Sequence, residues 1–217
     1  MKSLFKLEDS KYPLIKYWAN KYNVPVSLVM AIFALESQFN SDWKRFEEHL
    51  NDSSYGIGQI LYNTAKGLGY TGSPDGLFDD NTNLKYSVKF IANLYKKYQN
   101  IDDTIASYNM GYPRKAKDTT EIIKNIWGTP QSDWIYANQP YVNRIKAYHL
   151  FYHYKFEAVD EKTSTDIYNL INSGTTAEKY KKVINYIATV GSDIYSKTGI
   201  LPVLLLIAVP FLIKSLK

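Results

Sequence analysis

VPVSLVMAIFALESQF, residues Val24 to Phe39, is apolar almost without interruption and carries one carboxylate, Glu36, near its end. The stretch predicts a helix beginning near Pro25, since proline suits a first helical position. Val29, Ile32, Phe33 and Glu36 then fall on one stripe, because residues three and four apart share a face. A helix apolar nearly all round belongs in a core. A carboxylate held there is costly when ionised, so its pKa should rise into the range a general acid needs. The alternative is that Glu36 lies past the buried turns and is simply solvated.

Outward from this run the chain reads as one globular domain with accessory sequence. It has 217 residues, 45% hydrophobic and 22% charged, enough for a real core. The 20 Tyr and four Trp suit either a carbohydrate groove or an ordinary core. A net charge of +5 favours anionic partners such as wall polymers or lipid head groups. The bases are mostly Lys, with no Arg-rich block, so no nucleic-acid partner is expected. No cysteine is present, which excludes disulfides and thiolate metal sites. Lys6, Glu8 and Asp9 interrupt the place where a cleavable signal peptide would need an apolar core, so none is expected.

Further helices are predicted over Tyr12 to Lys21, Thr82 to Tyr98, Asp102 to Asn109 and Tyr141 to Phe156. Asn51 to Gln59 (NDSSYGIGQ) makes either a loop or a small hairpin, and Tyr70 to Asp80 a loop. Beyond Phe156 the character changes. A polar linker and an amphipathic helical stalk over 157–197 follow, with Thr175 and Glu178 placed as a capping box. ILPVLLLIAVPFLI, Ile200 to Ile213, is too short alone for a hydrocarbon core of about 30 Å. Extended to 198–217, with flanking Lys residues snorkelling, it reads as a membrane anchor. The alternative is a buried helix or a docking segment.

Several motifs occur in order. Leu35-Glu36-Ser37-Gln38-Phe39-Asn40 is followed by Gly56-Ile57-Gly58-Gln59-Ile60, then by Thr64-Ala65 through Gly69, Leu77-Phe78-Asp79 and Asn83. Ala106-Ser107-Tyr108-Asn109-Met110-Gly111 and Tyr141-Val142 close the set. Between Tyr17 and Tyr152 the chain resembles the catalytic domain of soluble lytic transglycosylases, relatives of goose-type lysozymes. The resemblance implies a mainly α, lysozyme-like α+β domain with little sheet over 1–156. It implies cleavage of the bond between N-acetylmuramic acid and N-acetylglucosamine in peptidoglycan glycan strands, without a cofactor.

In that family one glutamate, here Glu36, protonates the leaving oxygen. It then acts as base while the muramyl 6-hydroxyl closes a 1,6-anhydro ring, an exception to the two-carboxylate arrangement. By the same resemblance Gln59 and Asn109 would bind sugar polar groups. Gly56 would let backbone approach the substrate, and Tyr108 belongs to the same motif as Asn109. Tyr141 would set its hydroxyl beside Glu36, Ser37 would orient the muramyl side, and Ser54 is a further candidate. Gly58 stands where many relatives carry Met, which removes an apolar wall from the cleft.

Three other readings compete. A hydrolytic muramidase needs a second carboxylate to activate water, and Asp52 is placed for that, with Glu47 and Glu48 beside it. A non-catalytic structural protein of a virion or envelope would keep the fold without the chemistry; intact Glu36 argues against it. A metal site on His149 and His153, four apart, lacks the Glu that a zinc-protease motif requires. Among settings, a wall enzyme with an apolar anchor and no signal fits either a protein inserted after synthesis or a membrane-containing phage virion with envelope partners.

Overall fold

A computed structural model of the chain describes residues 2–116, 135–157, 165–166 and 168–169. Two compact units divide at 149/150. The first is mainly helical, with one small sheet.

Helix α1, Lys2–Tyr22, leads into α2, Val26–Glu36, with Pro25 capping the second. All residues from Val26 to Phe33 are buried, as an all-apolar helix requires. Each fully buried Leu, Ile or Phe there contributes roughly 1.5–3 kcal/mol. α1 runs far beyond the expected Tyr12 to Lys21, continuing N-terminally through Pro13. Proline removes one helical hydrogen bond, but Ile15, Trp18 and Ala19 bury a face C-terminal to it that secures the helix. α1 packs on α2 and on α4, Asp80–Tyr98, and α4 packs in turn on α5, Ile101–Met110. The Trp18 indole N–H donates to Asn81 Oδ1 at 2.9 Å, and Lys11 pairs with Asp80, so α1 is tied to the start of α4. Asp79 and Asn100 cap α4 and α5 by accepting from Thr82 N and Asp103 N.

Between α2 and α4 the chain makes a three-stranded antiparallel sheet: β1, Lys44–Glu47; β2, Asp52–Tyr55; β3, Ile60–Leu61. The hairpin alternative for 51–59 is therefore the observed one. β1 pairs Arg45 with Ser54 and Glu47 with Asp52, placing these four side chains on one face. A short helix α3, Tyr62–Gly67, and a 3₁₀ turn, Pro74–Phe78, close over a second cluster of Tyr55, Ile60, Ala65, Leu77 and Tyr86. Tyr70 meets Tyr86 edge-on at 5.2 Å. Part of the tyrosine excess is thus ordinary core.

Helix α6, Gln139–Tyr152, supplies Tyr141, Val142 and Ile145 as buried residues of the first unit. The second unit begins in its last turn and continues as a π-helical turn, His153–Glu157. There Tyr152 stacks on Phe156 at 6.0 Å and Phe151 meets Tyr168 at 5.4 Å. The expected linker, stalk and 198–217 anchor lie outside the described residues, except at Glu157, Thr165, Asp166, Tyr168 and Asn169. Among the described residues no helix is long and apolar enough to cross a membrane.

Candidate active site

Glu36 is the last residue of α2. Beyond it the chain turns sharply: Gln38 and Phe39 both adopt left-handed backbone, at φ 55° and 62°. Two such residues in succession are strained without glycine. Phe39, fully buried, anchors the turn. Glu36 keeps part of its surface exposed. Burial pushes it up from the ordinary range to about 7. A hydrogen bond from Tyr141 and the Arg45 charge oppose that rise, and Glu47 adds to it.

Tyr141, 105 residues away in the chain, donates its hydroxyl to Glu36 Oε1 at 2.6 Å. Burial, with the Glu36 charge next, drives the Tyr141 phenol well above its usual pKa, so it remains a donor. Tyr108 lies in the field of Glu36 too, and its hydroxyl donates to Gly58 O at 2.6 Å. Burial pushes that phenol far up as well.

Removing the Tyr141 hydroxyl therefore has a signed consequence. Tyr141→Phe should raise the Glu36 pKa further, moving the alkaline limb of the activity profile to higher pH. The hydrogen bond to a charged group is worth about 1.5–3 kcal/mol, so the rate should fall roughly ten- to hundredfold. A profile unchanged in position would show that the hydroxyl does not touch the acid during turnover.

The loop carrying Gly56 to Gln59 is locked from three sides. Ser37 Oγ donates to Ile57 O at 2.6 Å, joining the end of α2 to the loop. Gly56 N donates to Trp43 O at 2.7 Å. Asn83, wholly buried on α4, accepts from Gly58 N at 3.0 Å and donates to Tyr55 O and Leu77 O at 2.8 and 2.7 Å. Gly56 sits at φ +66°, and a Cβ there would lie 2.5 Å from Leu77 O, so only glycine fits.

Several expected roles look different in this geometry. Gln59 turns its amide inward: Nε2 donates to Trp43 O and Gly56 O, and Oε1 accepts from Ser54 Oγ at 3.0 Å. Gln59 and Ser54 hold the loop's shape, and Ser37, fully buried, does likewise. Gly58 does not open the cleft by lacking a side chain. A Cβ at that position would lie 2.2 Å from Ser87 Oγ, and Ser87 already occupies the space.

Asp52 ties the hairpin to α3. Its two oxygens accept from Ser53 N at 2.7 Å and from Asn63 N at 2.9 Å, at the first turn of α3. Each oxygen thus accepts one backbone N–H. Glu47, the partner of Asp52 across the hairpin, is instead the carboxylate whose charge reaches Glu36, and Arg45 holds it at 2.6 Å.

Asn109 lies exposed near the end of α5, its Oδ1 accepting from Asn138 Nδ2 at 3.0 Å. That bond uses the carbonyl oxygen and not the Asn109 amide N–H groups. Asn138, buried and also bonded to Ala106 O at 3.2 Å, was not legible as a site residue: no spacing rule marks it. Arg45 and Trp43 were missed similarly, because β1 (KRFE) shows no apolar alternation. Among the described residues no group of three or more His, Cys, Asp or Glu side chains comes together; His153 Nδ1 lies 2.6 Å from Glu157.

Comparison with known proteins places this geometry in context. The family model of the transglycosylase SLT domain matches residues 13–123, a span that includes Glu36, Gln59, Asn83 and Asn109. Tyr141 lies beyond that span, so its place beside Glu36 is an independent geometric finding. No curated protein and no solved structure gives a match.

Proposed function

Because the chain belongs to the transglycosylase SLT family, we propose that it cleaves the β-1,4 bond between N-acetylmuramic acid and N-acetylglucosamine in peptidoglycan, releasing a 1,6-anhydromuramyl end. The observation that carries the reading is the carboxyl of Glu36, desolvated to a pKa of about 7 and held at Oε1 by Tyr141. With Oε1 occupied, the acidic proton belongs on the other oxygen, which donates it to the glycosidic oxygen as the C1–O bond breaks. The resulting carboxylate then takes the proton of the muramyl 6-hydroxyl as that oxygen bonds to C1. One group with a pKa near neutrality serves both half-steps. In this reading the exposed Asn109 donates its amide N–H to a sugar oxygen.

A second reading, hydrolysis, has one observation in its favour: Glu47 shares the field of Glu36 and is not engaged by backbone as Asp52 is. Both Arg45 contacts with Glu47 fall on its Oε1. Mass spectrometry of products released from purified sacculi separates the two. Anhydro ends, one water lighter than reducing ends, are expected from the wild type. Reducing ends alone would establish the hydrolytic route, and no release would remove both.

We also propose that residues 198–217 attach the enzyme to a bilayer, in a cell envelope or a membrane-containing phage virion. The support is the uncharged run from Ile200 to Ile213 with Lys214 and Lys217 beside it. Recovery of the full chain in the soluble fraction after membrane separation would overturn this.

A further inference from the structure

We propose that Trp43 and the pocket beside it form a pyranose-binding subsite of the glycan cleft, an assignment that rests on the peptidoglycan reading above. Trp43 connects the turn after α2 to β1, and it is 44% exposed although tryptophan is the residue most costly to leave in water. Its backbone is fixed: Trp43 O accepts from Gly56 N at 2.7 Å and from Gln59 Nε2 at 3.0 Å. The loop that borders the acid therefore also sets the position of the indole.

Trp43 lines a cavity of about 450 Å³, within the usual range for small-molecule sites. Its other walls fit a sugar better than a lipid tail. Ser37, the residue after Glu36, forms part of the wall. Gln38 presents an exposed amide from its left-handed turn. Asn40 accepts from Asp42 N through Oδ1, which leaves its amide N–H groups to donate. Leu7 gives a second apolar surface, and Lys11, fixed by Ser41 and Asp80, a cationic edge. A pyranose offers one apolar C–H face and a rim of hydroxyls, which is the complement of one aromatic plate ringed by amides.

Leu7 and Lys11 come from the N-terminal turns of α1, the part not expected from sequence. That extension has a function in this assignment: it supplies part of the pocket wall.

The test uses the full chain carrying Glu36→Gln, which should bind without cleaving, titrated with the hexamer of β-1,4-linked N-acetylglucosamine. Indole fluorescence should change on binding, and adding Trp43→Ala should weaken the affinity about tenfold or more and remove most of the change. Trp43→Phe should recover much of the affinity, which excludes misfolding as the cause. In the Glu36-intact background Trp43→Ala should raise KM on sacculi with kcat within about twofold. Unchanged affinity and KM in Trp43→Ala, with sacculi still solubilised, would overturn the subsite and leave the function standing. Failure of the parent protein both to bind the hexamer and to solubilise sacculi would overturn both.

Discussion

Glu36→Gln is expected to lower release of material from sacculi by at least about 10³-fold, because a single positioned acid–base group typically supplies 10²–10⁴-fold and here one group serves two proton transfers. The same substitution should stabilise the fold in a pH-dependent way. The folded carboxyl has a pKa of about 7 against an ordinary 4.5, so between those values the folded state holds more proton than the unfolded chain. Stability then falls as pH rises through that window, and the full cost is present above pH 7. Allowing for the exposed part of Glu36, it amounts to roughly 1–3 kcal/mol. The glutamine variant lacks this cost, so its melting temperature should exceed that of the wild type clearly at pH 8 and hardly at pH 4.5. An equal gap at both pH values would mean that the carboxyl is not desolvated.

The other large effect is on stability. Asn83→Ala should leave Gly58 N, Tyr55 O and Leu77 O without their present partner. Each buried group so orphaned costs about 1–3 kcal/mol. Three such groups sum to about 3–9 kcal/mol, a large share of the roughly 5–15 kcal/mol that holds a typical domain together. A fall in melting temperature of about 10 °C or more is expected from thermal unfolding, with activity lost near the growth temperature. A fall under about 2 °C would show that the loop does not depend on this amide.

Glu36 was legible because one carboxylate ending a long apolar run is a conflict that chemistry resolves. The order of the surrounding motifs then pointed to Tyr141 and Asn109. The helices over Thr82 to Tyr98 and Asp102 to Asn109 were legible from apolar spacing and acidic first turns, while their caps, Asp79 and Asn100, emerge only in the structure. What could not be read was direction. Gln59, Ser37 and Ser54 are polar residues beside the acid, and sequence alone does not say whether such groups face substrate or backbone. The structure turns all three toward backbone or toward one another. Asn83 and Ser87 sit one helical turn apart on α4, and only packing reveals that this pair faces the loop. The length of α1 was hidden because Pro13 reads as a helix start, although a buried face can carry a helix through it.

Gly58 and Ser87 occupy what is in effect one volume between two segments of chain. The order in which substitutions can accumulate is constrained accordingly. A side chain at position 58 fits only when position 87 gives up its own, so Gly58→Ala alone should destabilise the loop and Ser87→Gly should relieve it.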